Sequence, residues 1–275
     1  MLVVVAADFE PCGVITLTTD FGHKGPFVAT MKGVMLGRFG QAKIIDLTHE
    51  TSVHFPAEAG FWLKRSFRYF PRGTTHVAVV DPGVGTARDI IVAIVDGHVF
   101  VAPDNGLLAP LLPEGESHVH VLDIERCGDV VGIDRSRVSA TFHGRDIFAP
   151  LGAALAAGML TPHGVGPVAD SVVPSWVEEP AVRPGRVSGI VIAVDHFGNL
   201  ITNIGAELIA DFKSPTAHAG GHELVLRRTY GDVTPGDHLA LINSFGVVEI
   251  ARAERSAAET LGLSRGAPVE VRDAG

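Results

Sequence analysis

Apolar runs that stop abruptly at a polar turn recur through the first half of the chain. Residues 14–19 are largely β-branched and end at Asp20; 43–47 end at Thr48, His49 and Glu50; 76–80 end at Asp81, Pro82 and Gly83. Runs of this length bounded by turn residues fit strands covered on both faces of a sheet. Residues 27–39 and 56–70 lie between them and read as helices, the second with the apolar spacing of a helix packed on a sheet. Strand and helix alternate, which predicts an α/β layered domain with a mainly parallel sheet. An antiparallel pair is inserted at 90–95 and 98–102, because Asp96-Gly97 supports the positive φ angles of a two-residue hairpin. Beyond it, 107–112 reads as a short helix, 119–124 as a strand, and the alanine-rich 151–159 as a helix.

The pattern changes after residue 173. Residues 174–184 hold three prolines, Trp176 and two glutamates with no apolar period, which predicts a linker at 176–185 between a first domain, 1–175, and a second, 186–275. In the second, 186–194, 223–227, 238–242, 247–250 and 269–271 are short β-rich runs separated by Gly, Pro and Asp turns. That spacing predicts a small β-barrel or sandwich.

With 46% apolar residues in 275, the chain can bury a substantial core. A net charge of -9 and the lack of any Lys/Arg run argue against a nucleic-acid partner and leave a small molecule as the default ligand. Cys12 and Cys127 are the two cysteines, so neither a disulfide framework nor a cysteine zinc site is expected. The opening residues 1–13 have a short apolar run but no basic segment before it, and are not read as a signal peptide. No stretch approaches the ~18 to 20 apolar residues of a membrane helix, and a cytoplasmic protein is expected.

Candidate chemistry gathers where strands end. Ligands in open α/β sheets sit just beyond strand carboxyl ends, which singles out Asp20, Asp81 and, across the glycine turn, Arg88. Asp20 can accept from both hydroxyls of a ribose diol, or cap the helix that follows. Asp81 and Arg88 can serve a site, or merely tie a loop together. The cluster at 139–150 adds His143, Arg145 and Asp146; Asp146 can cap the next helix with Arg145 paired to it, whereas His143 has no such structural duty. His49 and His54 read as solvated or locally bonded, and His118 with His120 as a solvated pair. In the second domain the polar turns 195–199 and 243–246 gain weight from the cluster in the first.

Five stretches then fall into one order: TTDFG at 18–22, DPGVGTARD at 81–89, FHGRDIFAP at 142–150, DHFGNLITNI at 195–204 and NSFGVVEIA at 243–251. Together they resemble the S-adenosylmethionine (SAM) hydroxide adenosyltransferase family, which is related to SAM-dependent fluorinases and chlorinases. The resemblance implies an N-terminal α/β domain, a C-terminal β-barrel, and a homotrimer whose SAM sites lie between one subunit's first domain and a neighbour's second. It implies that Asp81, Arg88 and His143 activate water, that Asp20 binds the ribose, Asp195 the methionine ammonium and Asn199 the adenine. Ser244 and Glu249 fall in the C-terminal ligand-binding stretch, and Phe142 and Phe197, with Phe21, would keep bulk water from the sulfonium. The halogenating relatives carry an extra loop in the first domain and other residues in place of Asp81 and His143. Here 46–70 runs on without an evident insertion, so water is the implied nucleophile. SAM is then the substrate, adenosine and L-methionine the products, and neither cofactor nor metal is called for.

A sulfonium leaves as a neutral thioether and needs no general acid. The demand falls on water, whose own pKa is about 15.7. His143 is the preferred base, with Asp81 orienting the water and Arg88 fixing Asp81. Two other functions fit the same residues when the resemblance is set aside. One is a metal-dependent hydrolase built on Asp20, His49, Asp81, His143 and Asp146, which Arg88 and Arg145 would oppose; the other is a SAM- or adenosine-binding protein without turnover.

Overall fold

In the computed structural model, which describes residues 9–112, 118–273 and 275, the chain divides into two units, Met1–Trp176 and Val177–Gly275. The opening run at 1–8 lies outside the described residues. The first unit holds β1 (Val14–Thr19), α1 (Phe27–Arg38), β2 (Lys43–Thr48), α2 (Pro56–Ser66), β3 (Thr75–Val79), β4 (Ile90–Val95), β5 (His98–Pro103), β6 (His118–Val121), α3 (Ile124–Val131) and α4 (Ala149–Ala156). Its sheet has the order β2-β1-β3-β5-β4-β6, parallel from β2 to β5 and antiparallel around β4. Asp96 and Gly97 take φ of 50° and 75°, as the hairpin requires. The reason β3 and its extension are apolar throughout is that alternate side chains feed different cores. Val77 and Val79 pack with α1 and α4, through Met31, Met35, Leu151 and Leu155, while Ala78 and Val80 pack with α2 through Ala59 and Leu63.

Three expectations change in this unit. The run 119–124 is a strand only to Val121; the Asp123 carboxylate accepts from the N–H groups of Glu125 and Arg126 and starts α3, which Gly132 ends at φ 77°. Residues 107–112 make a single 3-10 turn, Ala109–Leu111. The helix predicted from 151 begins earlier, since a π-helical turn, Gly144–Phe148, runs straight into α4, so Arg145 and Asp146 ride on helical backbone.

The second unit holds β7 (Ala181–Arg183), β8 (Arg186–Val194), β9 (Leu200–Gly205), β10 (Pro215–Ala219), β11 (His222–Arg227), β12 (His238–Ile242), β13 (Val247–Arg252), α5 (Ala257–Leu261) and β14 (Pro268–Asp273). Pairing of β14 with β8 closes seven strands, β8 to β14, into a barrel. β9 and β10 complete it beyond the five strands expected from sequence. The proline-rich stretch before it includes β7, which pairs antiparallel with β8. Val187, Val191, Leu200, Ile204, Ala240, Val248, Ile250 and Val271 fill the interior.

Candidate active site

β1 and β3 are parallel neighbours with Thr19 opposite Val79, so the acids that follow them, Asp20 and Asp81, emerge at the same edge of the sheet. After β3 the chain turns through hydrogen bonds from Val84 N to Asp81 O and from Thr86 N to Gly83 O. Gly85, at φ 78°, passes so close to Ala140 that a Cβ would lie 2.2 Å from the Ala140 oxygen. Only glycine permits that approach, and it brings the 81–88 turn against the segment that carries His143.

Arg88 is the hub. Its Nε donates to both Asp81 oxygens at 3.0 Å, a terminal nitrogen also donates to Asp81 Oδ2, and that nitrogen lies 2.9 Å from His143 Nδ1. The Asp81 side chain is 4% exposed and that of Arg88 11%. A guanidinium has no lone pair to offer, so His143 Nδ1 must be the acceptor and the neutral ring carries its proton on Nε2. Burial and then the Arg88 charge hold the His143 pKa below its ordinary 6.5, against the pull of Asp81 and Asp146. Sequence reasoning preferred His143 as the base, but the lone pair a base would use is committed to Arg88.

Asp20 does not cap α1, whose N-cap position is Pro26; its Oδ2 accepts from His54 N at 2.9 Å. Phe21, Phe27 and Phe142 form an edge-to-face cluster with centroids 5.4 to 6.2 Å apart. Arg145 pairs with Asp146 as anticipated, at 2.6 and 2.8 Å, yet Asp146 caps no helix and accepts instead from Ser139 N at 2.8 Å. His120 is buried, not solvated: Nε2 lies 2.9 Å from His163 Nδ1 and Nδ1 3.1 Å from the Gly166 oxygen. Among the described residues no three His, Cys, Asp or Glu side chains are grouped to hold a metal. Both cysteines are free.

In the barrel unit Asp195 organises its own turn. Oδ1 accepts from Phe197 N and Asn199 N at 2.9 Å, and Oδ2 from Asn199 Nδ2 at 3.0 Å. With its amide nitrogen so committed, Asn199 turns its oxygen to face elsewhere as an acceptor. Phe197 is 75% exposed, so its ring is not consumed by packing within its own unit. Phe197 and Asn199 line a cavity of about 420 Å³ with Tyr230, Arg252, Glu254, Arg255 and Ser256. Glu249 is buried; it accepts from the Tyr230 hydroxyl at 2.7 Å and from Asn243 Nδ2 at 3.2 Å, while Asn243 Oδ1 accepts from Phe245 N at 3.0 Å and shapes the turn on which Ser244 is exposed. Burial pushes the Glu249 pKa up, the two hydrogen bonds oppose it, and Asp195 adds to it. Sequence reasoning missed Tyr230. The available signal was Thr229-Tyr230-Gly231-Asp232, whose first and last side chains form a capping box.

Residues 15–166 match the family model described as the SAM hydroxide adenosyltransferase N-terminal domain, and 189–270 the corresponding C-terminal domain. A protein named (R)-S-adenosyl-L-methionine hydrolase from Thermus thermophilus is 36% identical over 256 residues, covering 92% of this chain and 97% of that protein. A fluorinase from Actinopolyspora mzabensis is 28% identical over 293 residues, covering 94% and 96%. A crystal structure of a conserved protein from Thermotoga maritima superposes with a TM-score of 0.84 at 34% identity, over 94% of this chain and 99% of that one.

Proposed function

The chain belongs to the SAM hydroxide adenosyltransferase family, and from that premise we propose that it hydrolyses SAM, water displacing L-methionine at C5′ to leave adenosine. The observation that carries the reading is the Asp81–Arg88–His143 arrangement at the sheet edge. It offers water what an attacking oxygen needs: a donor, the Nε2–H of His143, and an acceptor, the Asp81 carboxylate. Arg88 holds the two apart at fixed orientation. Water attacks through oxygen as the C5′–S bond breaks and methionine leaves with the electron pair. The oxygen then bound to carbon is a protonated alcohol, far more acidic than water, so a carboxylate already paired with arginine suffices to take the proton. Asp81 is the acceptor in this scheme and His143 the holder. Fixing one water in line with C5′ is worth up to several kcal/mol through lost translational freedom alone.

Asp20 takes the ribose diol. Asp195 and Glu249 supply negative charge for the methionine ammonium, near the exposed Ser244 turn. Phe197 and Asn199 take adenine, the Asn199 oxygen accepting from the exocyclic amine. Phe21 and Phe142 shield the sulfonium. No cofactor takes part, and the functional assembly is a homotrimer acting in the cytoplasm, a state supported by the family resemblance. Among the described residues no helix is long and apolar enough to cross a membrane.

Incubation with SAM in oxygen-18 water tests the reaction. Label at the 5′-oxygen of adenosine, with none elsewhere, is the expected result. In concentrated chloride the product should remain adenosine, because Asp81 offers the nucleophile hydrogen-bond acceptors, which a halide, having no proton to donate, cannot use. Formation of 5′-chloro-adenosine under those conditions overturns the assignment, and a mass in solution other than three chains overturns the trimer.

A further inference from the structure

The first unit holds a second polar network, beside Asp20, that the reaction itself does not use. It begins at the surface, where Lys32 Nζ donates to Asp46 Oδ2 at 2.6 Å. Asp46 Oδ1 lies 3.0 Å from His49 Nε2, within ion-pair reach though not aligned as a hydrogen bond. Burial opposes ionisation of Asp46, but the Lys32 and His49 contacts outweigh it and hold the carboxyl below its ordinary pKa. His49, 1% exposed, then meets the Thr19 hydroxyl through Nδ1 at 2.8 Å, and Thr19 Oγ1 accepts from Phe21 N at 3.2 Å. The donors can run in one direction. An ionised Asp46 draws the ring proton to Nε2, which leaves Nδ1 to accept from Thr19, whose oxygen is free to accept from Phe21.

The same segment grips the turn from other sides. Gly22 N donates to His49 O at 2.8 Å, Thr51 Oγ1 to Thr19 O at 3.0 Å, and His54 N to Asp20 Oδ2 at 2.9 Å. His54 does so at φ 60°, a left-handed conformation a non-glycine residue adopts at a cost. A turn whose only task is to join β1 to α1 needs no such clamp.

We propose that His49 is a positioning residue for the nucleoside end of the substrate: through Thr19 it fixes the Asp20–Phe21 turn in the orientation that meets the ribose. The proposal rests on the reading of Asp20 as the ribose ligand. Five variants of the full chain test it, with adenosine and methionine affinities measured separately by calorimetry, kcat at saturating SAM, and thermal melting as the control. Thr19→Val keeps shape and removes the hydroxyl; His49→Phe removes both ring contacts. Each should weaken adenosine about tenfold, the scale of one lost hydrogen bond, with methionine affinity unchanged. His49→Asn, whose amide oxygen falls near the Nδ1 position, should restore adenosine binding, whereas His49→Gln, which reaches toward Asp46 but not Thr19, should not. Unchanged adenosine affinity in Thr19→Val, equal loss for both ligands, or rescue by Gln and not Asn each overturns the proposal. Asp20→Ala separates it from its premise: loss of adenosine binding there, with none in Thr19→Val, rejects His49 alone, while no loss in Asp20→Ala rejects the ribose assignment and the proposal with it.

Discussion

Asp81 and Asp146 of the α/β unit are held in the opposite way to Asp195 and Glu249 of the barrel unit. In the α/β unit Asp81 carries the Arg88 guanidinium on both oxygens, and Asp146 likewise carries Arg145. In the barrel unit Asp195 is held by two backbone N–H groups and an amide, and Glu249 by a phenol and an amide, with no cationic partner for either among the described residues. A carboxylate fixed by neutral donors has, when ionised, an unneutralised charge to offer, whereas one paired with a guanidinium presents little net field beyond its hydrogen-bond acceptors. The barrel acids are therefore suited to a cationic group and Asp81 to a neutral one. SAM presents an ammonium at one end and is attacked by water at C5′, and the division of acids between the units matches that division of labour.

The comparison breaks most visibly at Asp81 and His143. Asp81→Asn keeps the shape and removes the acceptor charge, and should lower kcat by about 10² to 10⁴ with SAM affinity little changed; His143→Ala removes a hydrogen-bond donor to the water and should lower kcat by about tenfold, the scale of one lost hydrogen bond. Single-turnover kinetics beside calorimetry would separate the two quantities, and an undiminished rate in His143→Ala would exclude it from the reaction. Next come the binding acids. Asp195→Ala should weaken methionine and SAM by roughly 1.5 to 3 kcal/mol and leave adenosine alone, and Asp20→Ala should do the reverse, weakening adenosine and SAM by a like amount. Uniform loss across the three ligands in either variant would dissolve the distinction between the units.

A smaller effect belongs to Glu249. Its raised pKa means that bringing a cation to it must first secure the ionised form. Methionine affinity should accordingly fall as pH drops through that raised value, and Glu249→Gln should weaken methionine less than Asp195→Ala while erasing this pH dependence. A Gln variant with the wild-type pH profile would show that Glu249 serves only to hold Asn243 and its turn.

How much of this was legible beforehand follows from the range of the interaction that fixes each part. Asp20 and Asp81 declare themselves because a strand end is a local pattern, and the Asp96-Gly97 hairpin likewise. α3 was hidden because the apolar 119–124 run crosses from strand into helix, and the only marker of the crossing is the Asp123 cap. β10 begins at a proline and carries two alanines and a histidine, so its strand character comes from pairing with β11 and β14 and not from propensity. The Arg88 to His143 contact spans 55 positions, and with it goes the tautomer that leaves His143 Nδ1 an acceptor. Buried histidines are equally opaque. His76 bonds Thr16 and His98 inside the sheet at 2.7 and 3.1 Å, and although its apolar run marks it as part of a strand, nothing local in the sequence names those partners.

The finest test is a pH profile. Burial and Arg88 depress the His143 pKa below 6.5, so the ring stays neutral as pH falls through 6.5, and kcat should stay flat there and decline only at lower pH. Protonation at Nδ1 would set an imidazolium against Arg88 and break the contact that orients both groups. The sign for stability is the same: the unfolded chain takes up this proton first, so what neutral His143 contributes is intact above 6.5 and is lost as pH falls through the folded value. Arg88→Gln removes one of the two depressing causes and should raise the acid limb toward 6.5, along with its loss of rate. Asp146→Asn acts the other way. It deletes a charge that raises the His143 pKa and releases Arg145 from its partner, adding positive field nearby, so the limb should move further down by a small amount with kcat at its plateau nearly unchanged. An upward shift in Asp146→Asn would mean that the group titrating in the profile is not His143.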